Sequence, residues 1–393
     1  MKNKYFLNYN HSLIFIFLII FMPKIDLISI PGKHQGVRIE DCISFIFLFY
    51  LFFSNKLTFS NTFISNFQYK NYYYFFIYLF FSNIVGILSN IDMQLIMIIR
   101  LIEYIIFLFF IDRLNISKKI FLKLLKYFLL VNLIIAILQI NELVGSFSSL
   151  GYQPTEAEIN QRALGLLGGS WELSITSSLA YLFIYENDKN KLIKLIYFFI
   201  TFFLVIVSES KTQTLAFFLL NFLLLIKNKN FLLLSFLSIA VIASIIFVDI
   251  NIFNKIKSIN FSYLFDLTYQ TFVRDNLPSK EDVENPYVHL SYWYRLNFWR
   301  VLFDEYISNF ATVMFGTGFS RIYTESIYIR VIFSSGIFGS LYLLYLLRNT
   351  KLIYLFYFSF AGLTIDLFIS LKIFLITLLI VKNNFNEKNN IGN

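Results

Sequence analysis

The sequence predicts an all-α polytopic membrane protein, and three observations carry that prediction. Hydrophobic residues make up 58% of the 393 residues and charged residues only 15%, far from the balance of a soluble domain of this length. The apolar residues fall in long runs, each near the ~20 residues that a membrane helix requires. Lysine and arginine crowd into every second connecting segment, which is how orientation is written into a multi-pass chain. The whole chain, 1–393, therefore reads as a single integral membrane domain of about twelve transmembrane helices.

Taken in order, Lys2 and Lys4 precede an apolar run that begins at Ser12 and continues past Phe21 with no small-residue cleavage site behind it, an uncleaved first span. Further spans are expected near 42–54, 72–89, 93–111, 125–141, 164–184, 192–208, 212–226, 231–248 and 325–347. The run at 352–381 is too long for one crossing, and Gly362 and Asp366 near its middle split it into two. With both termini cytoplasmic, the lysine-rich stretches at 118–126, 189–194 and 227–229 lie inside. The short outside loops then hold Lys24, Lys33, Arg38, Arg162 and Lys211. Two substantial outside loops follow, 142–163 and the large extracytoplasmic loop 249–324 between the ninth and tenth spans. Within the latter, apolar and aromatic residues recur at helical spacing from 292 to 315, an amphipathic helix lying on the membrane surface.

Several function classes drop out. The net charge of +9 is dispersed over short loops, so no nucleic-acid partner is expected. Cys42 is the single cysteine, and His289 stands in a loop with no cysteine or carboxylate cluster beside it, so neither a metal nor a cofactor is expected. Arg100 and Glu103, three apart within the fourth span, can pair on one helix face.

What remains is a set of charges at the outer face. Arg162 precedes flexible glycines at 165, 168 and 169, and Glu172 opens the next span. Lys211 occupies a very short outer turn. Arg295 and Arg300 come from the amphipathic segment, and Glu325 stands at the mouth of the tenth span, where a carboxylate is costly unless paired or used. Arginine suits phosphate because its planar fork binds bidentately and keeps its charge, whereas lysine supplies a point charge. Each cation also has a plainer role in snorkelling to lipid head groups.

The order RALGLLGGSWEL at 162–173, SESKTQTLAFFLL at 208–220, YRLNFWRVLF at 294–303, FGTGFS at 315–320 and TESIYIRVIFSSGIFG at 324–339 resembles the Wzy-type O-antigen polymerase and O-antigen ligase superfamily, over roughly residues 90–382. The resemblance implies a fold related to the GT-C glycosyltransferases and joining of undecaprenyl-pyrophosphate-linked oligosaccharides at the outer leaflet of the bacterial inner membrane. It also implies a chain-length regulator protein as a further partner. By position it casts Arg162, Lys211 and Arg295 as pyrophosphate ligands, with Arg300 a second candidate; Glu172, at the start of its span, and Glu325, as base or orienting acceptor for the attacking hydroxyl, complete the expected site. The ligases carry a histidine where this chain reads Thr324, Glu325, Ser326, which favours polymerase. The rival from another class is a flippase for lipid-linked sugars, for which related halves and broken mid-membrane helices would be the signature.

Overall fold

A computed structural model describes residues 9–29, 36–53, 70–93, 95–114, 116–145, 162–227, 260–274, 276–320, 326–348, 350–363 and 370–391. The described chain is helical apart from one small hairpin. Its helices are α1 (Tyr9–Phe21), α2 (Ile39–Phe53), α3 (Lys70–Leu88), α4 (Leu95–Arg113), α5 (Lys118–Ile140), α6 (Ser170–Asn187), α7 (Lys191–Val207) and α8 (Lys211–Lys227). Then come α9 (Phe261–Phe272), α10 (Pro286–Ile307), α11 (Phe310–Phe315), α12 (Ile327–Leu347), α13 (Leu352–Ala361) and α14 (Leu371–Ile391). Among the described residues α3, α5 and α12 are each long and apolar enough to cross a membrane, and α1, α13 and most of α8 are shorter apolar helices. The expected span at 231–248 lies outside the described residues, as does Glu325.

Local chemistry sets many of the helix ends. The Ser117 hydroxyl accepts from the Ile120 N–H, Asn190 from Leu192 and Asn260 from Tyr263, each satisfying a donor in a first turn that has no partner within the helix. Two expectations change in detail. The segment after α1 contains a two-stranded antiparallel hairpin, β1 (Asp26–Ser29) with β2 (Gly36–Arg38), which feeds directly into α2. The amphipathic segment expected at 292–315 is two helices. The chain leaves α10 at Ser308, and Asn309 caps α11 reciprocally with Thr312, a stop and restart that these side chains favour over continuing the helix.

The chain, read from sequence as one domain, divides into two compact units. Unit 1 holds Met1–Ile77, Ile99–Phe217 and Leu367–Asn393; unit 2 holds Tyr78–Ile98 and Phe218–Asp366. In unit 1, α6 is the centre: it packs against α5, α7 and α14 and is buried along nearly its whole length. Its Ser174, Thr176, Ser177 and Ser178 are small enough to let neighbouring backbones approach, and Thr176 and Ser178 turn their hydroxyls back to carbonyls of their own helix. In unit 2, α11 lies along α12, and α10 joins α9, α11 and α12.

Unit 2 contains a broken helix. Gly336 interrupts α12 with φ 64° and ψ −169°, which frees carbonyls that a continuous helix would bond internally. The 316–318 turn satisfies them: Thr317 N–H donates to Phe333 O (2.8 Å) and Gly318 N–H to Ser334 O (3.1 Å). Tyr78 on α3 donates to Ser335 O (3.0 Å) and Ser82 to Phe315 O (2.6 Å). Backbone outside regular helix at membrane depth is viable only with such replacements. Glycine is required here. Gly316 has φ 91°, and a Cβ on it would stand 2.2 Å from Ser334 O.

Candidate functional site

The RALGLLGG stretch of unit 1 is held from all sides by side chains of other elements. Gln139 on α5 accepts from the Leu164 and Gly165 N–H groups (2.9 and 2.8 Å), and Asn132, two turns earlier, accepts from Leu166 (2.9 Å). Gly165 adopts φ +60°, and an added Cβ would lie 2.2 Å from Asn132 Oδ1. Lys24, just after α1, donates its backbone N–H to Leu166 O (3.1 Å) and its ammonium to both oxygens of Glu172 (3.0 and 3.2 Å). Glu172 also accepts from Gly168 N–H (2.9 Å). Lys372 at the start of α14 donates to Leu166 O (3.1 Å) and to Met22 O. The Arg38 guanidinium acts electrostatically on Glu172.

Two buried cations, Lys24 and Lys372, therefore bond this glycine-rich loop or its buried carboxylate Glu172, and the buried Arg38 acts on that carboxylate only through its charge. Burying that many charges is costly, and the hydrogen bonds just given offset much of the cost. From sequence Lys24 and Arg38 are outer-loop cations with no role of their own, and Lys372 lies within an apolar run with no local signal to mark it.

The sites expected from sequence fall in both units. In unit 1, Arg162 opens the described part of the loop and its Nε donates to Glu209 (3.3 Å) with both side chains part exposed. Glu172 is 1% exposed, and its carboxylate fastens the loop to Lys24. Lys211 is the first residue of α8. Elsewhere in unit 1, Arg100 bonds Glu103 at 2.8 Å, the pairing expected from their spacing, and adds Asp41, whose second oxygen accepts from Arg38 N–H (2.8 Å).

Arg295 and Arg300 stand half-buried on α10 in unit 2. Arg295, Trp299, Leu302 and Tyr306 are spaced by four, three and four residues and so share one face of that helix. His289 is structural: its Nε2 accepts from Asn260 N–H (3.2 Å) and its Nδ1 donates to Glu284 O (2.7 Å), fastening α9 to α10. No group of three metal-ligating side chains occurs among the described residues.

Two further charges in unit 2 escaped the sequence reading. Arg330 in the first turn of α12 is 2% exposed, with its guanidinium 5.8 Å from the Phe319 ring centroid. Glu305, near the end of α10, is half-buried. Burial pushes its carboxyl above the usual range, a hydrogen bond from Ser320 opposes that, and the charge of Asp92 adds to it. Its Oε2 is buried with no hydrogen-bond partner. The available signal for both was a charge inside an apolar run, FDEY and IYIRV, but nothing local distinguishes such a charge from a solvated one.

No family model, curated protein or solved structure matches this chain. Function has to be argued from the residues and their surroundings.

Proposed function

We propose that this protein is a membrane-embedded glycosyltransferase that joins undecaprenyl-pyrophosphate-linked oligosaccharide repeats into a surface polysaccharide, acting at the outer leaflet of the cytoplasmic membrane with both termini inside. The observation that carries the reading is the bonding of the buried Lys24 and Lys372 at the 164–169 loop and its Glu172, with Arg162 at the loop's entrance. A leaving pyrophosphate is a dianionic or more highly charged group, and preorganised cations at low dielectric lower the cost of the charge that develops on it. A second line of support is the pairing of helix ends inside unit 1. Ala163 with Val207, Arg162 with Glu209 and Lys24 with Glu172 join ends that the alternating topology assigns to one side. Lys126 with Asp188, and Lys382 with Ile111 O and Leu114 O, join ends that it assigns to the other.

In the reaction, a sugar hydroxyl oxygen of one lipid-linked unit bonds to the anomeric carbon of another as the bond from that carbon to the pyrophosphate oxygen breaks, with inversion. The hydroxyl proton passes to a carboxylate, and the electron pair leaves on undecaprenyl pyrophosphate. By the family resemblance, Arg162 and Lys211 of unit 1 and Arg295 and Arg300 of unit 2 are the candidate pyrophosphate ligands, and Glu325 is the candidate base or orienting acceptor. Neither metal nor nucleotide is required.

The test is polymerisation by purified protein in nanodiscs supplied with lipid-linked repeats. A ladder of products supports the reading, and Arg295→Lys and Glu325→Gln each lower the rate about a hundredfold with substrate still bound. Transfer of a single glycan onto a lipid acceptor would instead make the protein an O-antigen ligase. Absence of any transfer, together with loss of outer-leaflet lipid-linked repeats in cells lacking the protein, would make it a flippase.

A further inference from the structure

Helix α9 has two unlike faces. On one, Leu267 and Thr271 are each 1% exposed, and the helix is tied to α10 by a hydroxyl pair between Thr268 and Tyr292 (2.7 Å) and to the segment before α10 by Tyr263, whose OH accepts from Glu284 N–H (3.0 Å). On the other, Phe261, Phe265, Tyr269, Phe272 and Val273 are 65, 77, 49, 38 and 64% exposed. At ~100° per residue these five fall within an arc of about 120°. Asp266 and Gln270, bonded to each other at 2.6 Å, mark its polar edge. At its C-terminal end the Arg274 guanidinium lies 5.5 Å from the Tyr269 ring centroid.

We propose that this aromatic face is seated in the head-group and acyl boundary of the lipid bilayer, making α9 an interfacial anchor of unit 2. Four aromatic side chains and a valine facing water would be a sizeable exposed apolar patch, which soluble surfaces avoid. The occupant follows from what surrounds the helix. α9 packs on α10, and α10 on α12, a helix long and apolar enough to cross a membrane, so the patch belongs to a unit that itself enters the bilayer. With 12 residues α9 is about 18 Å long, too short to cross, so it lies along the surface. Phe and Tyr bodies beside an arginine match the chemistry of that boundary, where hydrocarbon and phosphate are both within reach. The inference rests on unit 2 lying in a membrane and not on the glycosyl-transfer reading.

The experiment uses the full chain in nanodiscs of phosphatidylethanolamine and phosphatidylglycerol, with Cys42→Ser as background. Nitroxides are attached to Phe265→Cys and, separately, to Gln270→Cys. The expected result is that oxygen relaxes the label at 265 more than a water-soluble nickel chelate does, with the order reversed at 270. Stronger relaxation by the chelate at 265 overturns the proposal in favour of a solvated face. Protection from both agents, with dipolar broadening that grows with the fraction of labelled chains, overturns it in favour of a second copy of the protein. Should the cysteine variant fold poorly, Phe265→Trp gives an independent reading. Dibrominated lipid is expected to quench the added tryptophan emission at least twofold, and unchanged emission overturns the proposal.

Discussion

In unit 1 the loop from 163 to 169 is held by ammonium groups, a carboxylate and two amide side chains. In unit 2 the turn from 315 to 320 is held almost wholly by neutral groups: the hydroxyls of Tyr78 and Ser82, the carboxamide of Asn83, which accepts from Phe319 N–H (2.8 Å), and carbonyls released at Gly336. Both are irregular backbone next to apolar helices, and both must have every polar group satisfied. They differ in what failure costs. A neutral bond lost in unit 2 strands one dipole, whereas a partner lost in unit 1 strands a charge, and a buried charge is far more expensive. Unit 1 gains from this a loop whose position depends on charge pairing. Unit 2 gains a close approach of backbones, which suits holding α11 against α12.

The largest break in this comparison is expected from Lys24→Met, which leaves Glu172 buried without its ammonium and costs about 3–5 kcal/mol. Adding Glu172→Leu recovers most of that loss, because the stranded charge goes with it. Thermal unfolding of the two variants in nanodiscs checks the pair; equal loss in the single and the double variant would mean that packing, not charge, holds the loop.

Next in size is Gly316→Ala. Its φ of 91° and the 2.2 Å approach to Ser334 O leave no place for a methyl group, and the obstacle is backbone that cannot swing aside. A cost of about 2–4 kcal/mol is expected in the same unfolding assay, from strain of about 1–3 kcal/mol plus the displaced turn. Gly168→Ala in unit 1 should cost a comparable amount, since the added Cβ would stand 2.2 Å from Lys24 Cδ and press on the ammonium that Glu172 holds.

Asn83→Leu tests the neutral side directly. It leaves the Phe319 N–H buried without its acceptor, a loss of about 1–3 kcal/mol, smaller than that of Lys24→Met. A loss as large as the charged case would erase the distinction between the units.

The smallest effects are in pH dependence, and they run in opposite directions. Glu305 of unit 2 has its carboxyl raised, by burial first and then by Asp92. The folded form therefore binds the proton more tightly than the unfolded chain, so this stability is complete below the unfolded value and is lost as pH rises through the folded one. Glu305→Gln should flatten that step. Asp188, at the end of α6, is held low: burial raises it, but the bond from Lys126, the Asn190 N–H and the charges of Lys126 and Lys194 outweigh burial. Its contribution is present above the unfolded carboxylate value and is lost as pH falls through the folded one. Lys126→Met should remove that acid-side step at a cost of ~1 kcal/mol or less near neutrality. Unfolding temperatures measured across the carboxylate range separate the two.

Much of the helical framework was legible from sequence because it depends on local solvent preference. Windows at 72–89, 192–208 and 325–347 became α3, α7 and α12 to within a few residues, and Gly362 ends α13 as its place in the double-length run implied. The turn at 316 and 318 suits its residue types: both glycines take positive φ, a conformation that glycine adopts without strain. The β1–β2 hairpin, the separate helix α9 and the restart at Asn309 were not legible, since each lies in a mixed polar and aromatic stretch where helix, strand and loop periodicities compete.

The candidate site divides in the same way. Sequence marked Arg162, Lys211 and Glu172 as charges at the edges of apolar runs and Arg295 and Arg300 as charges of an amphipathic segment, and that depends only on their neighbours in the chain. Which charges meet was decided by tertiary structure. Glu172 finds its ammonium 148 residues away, and Lys372 reaches Leu166 O across 206 residues. Hydropathy records whether a side chain prefers water or lipid, and a buried ion pair violates that preference at both ends. Only the packing that brings the two ends together shows how the cost of burial is offset.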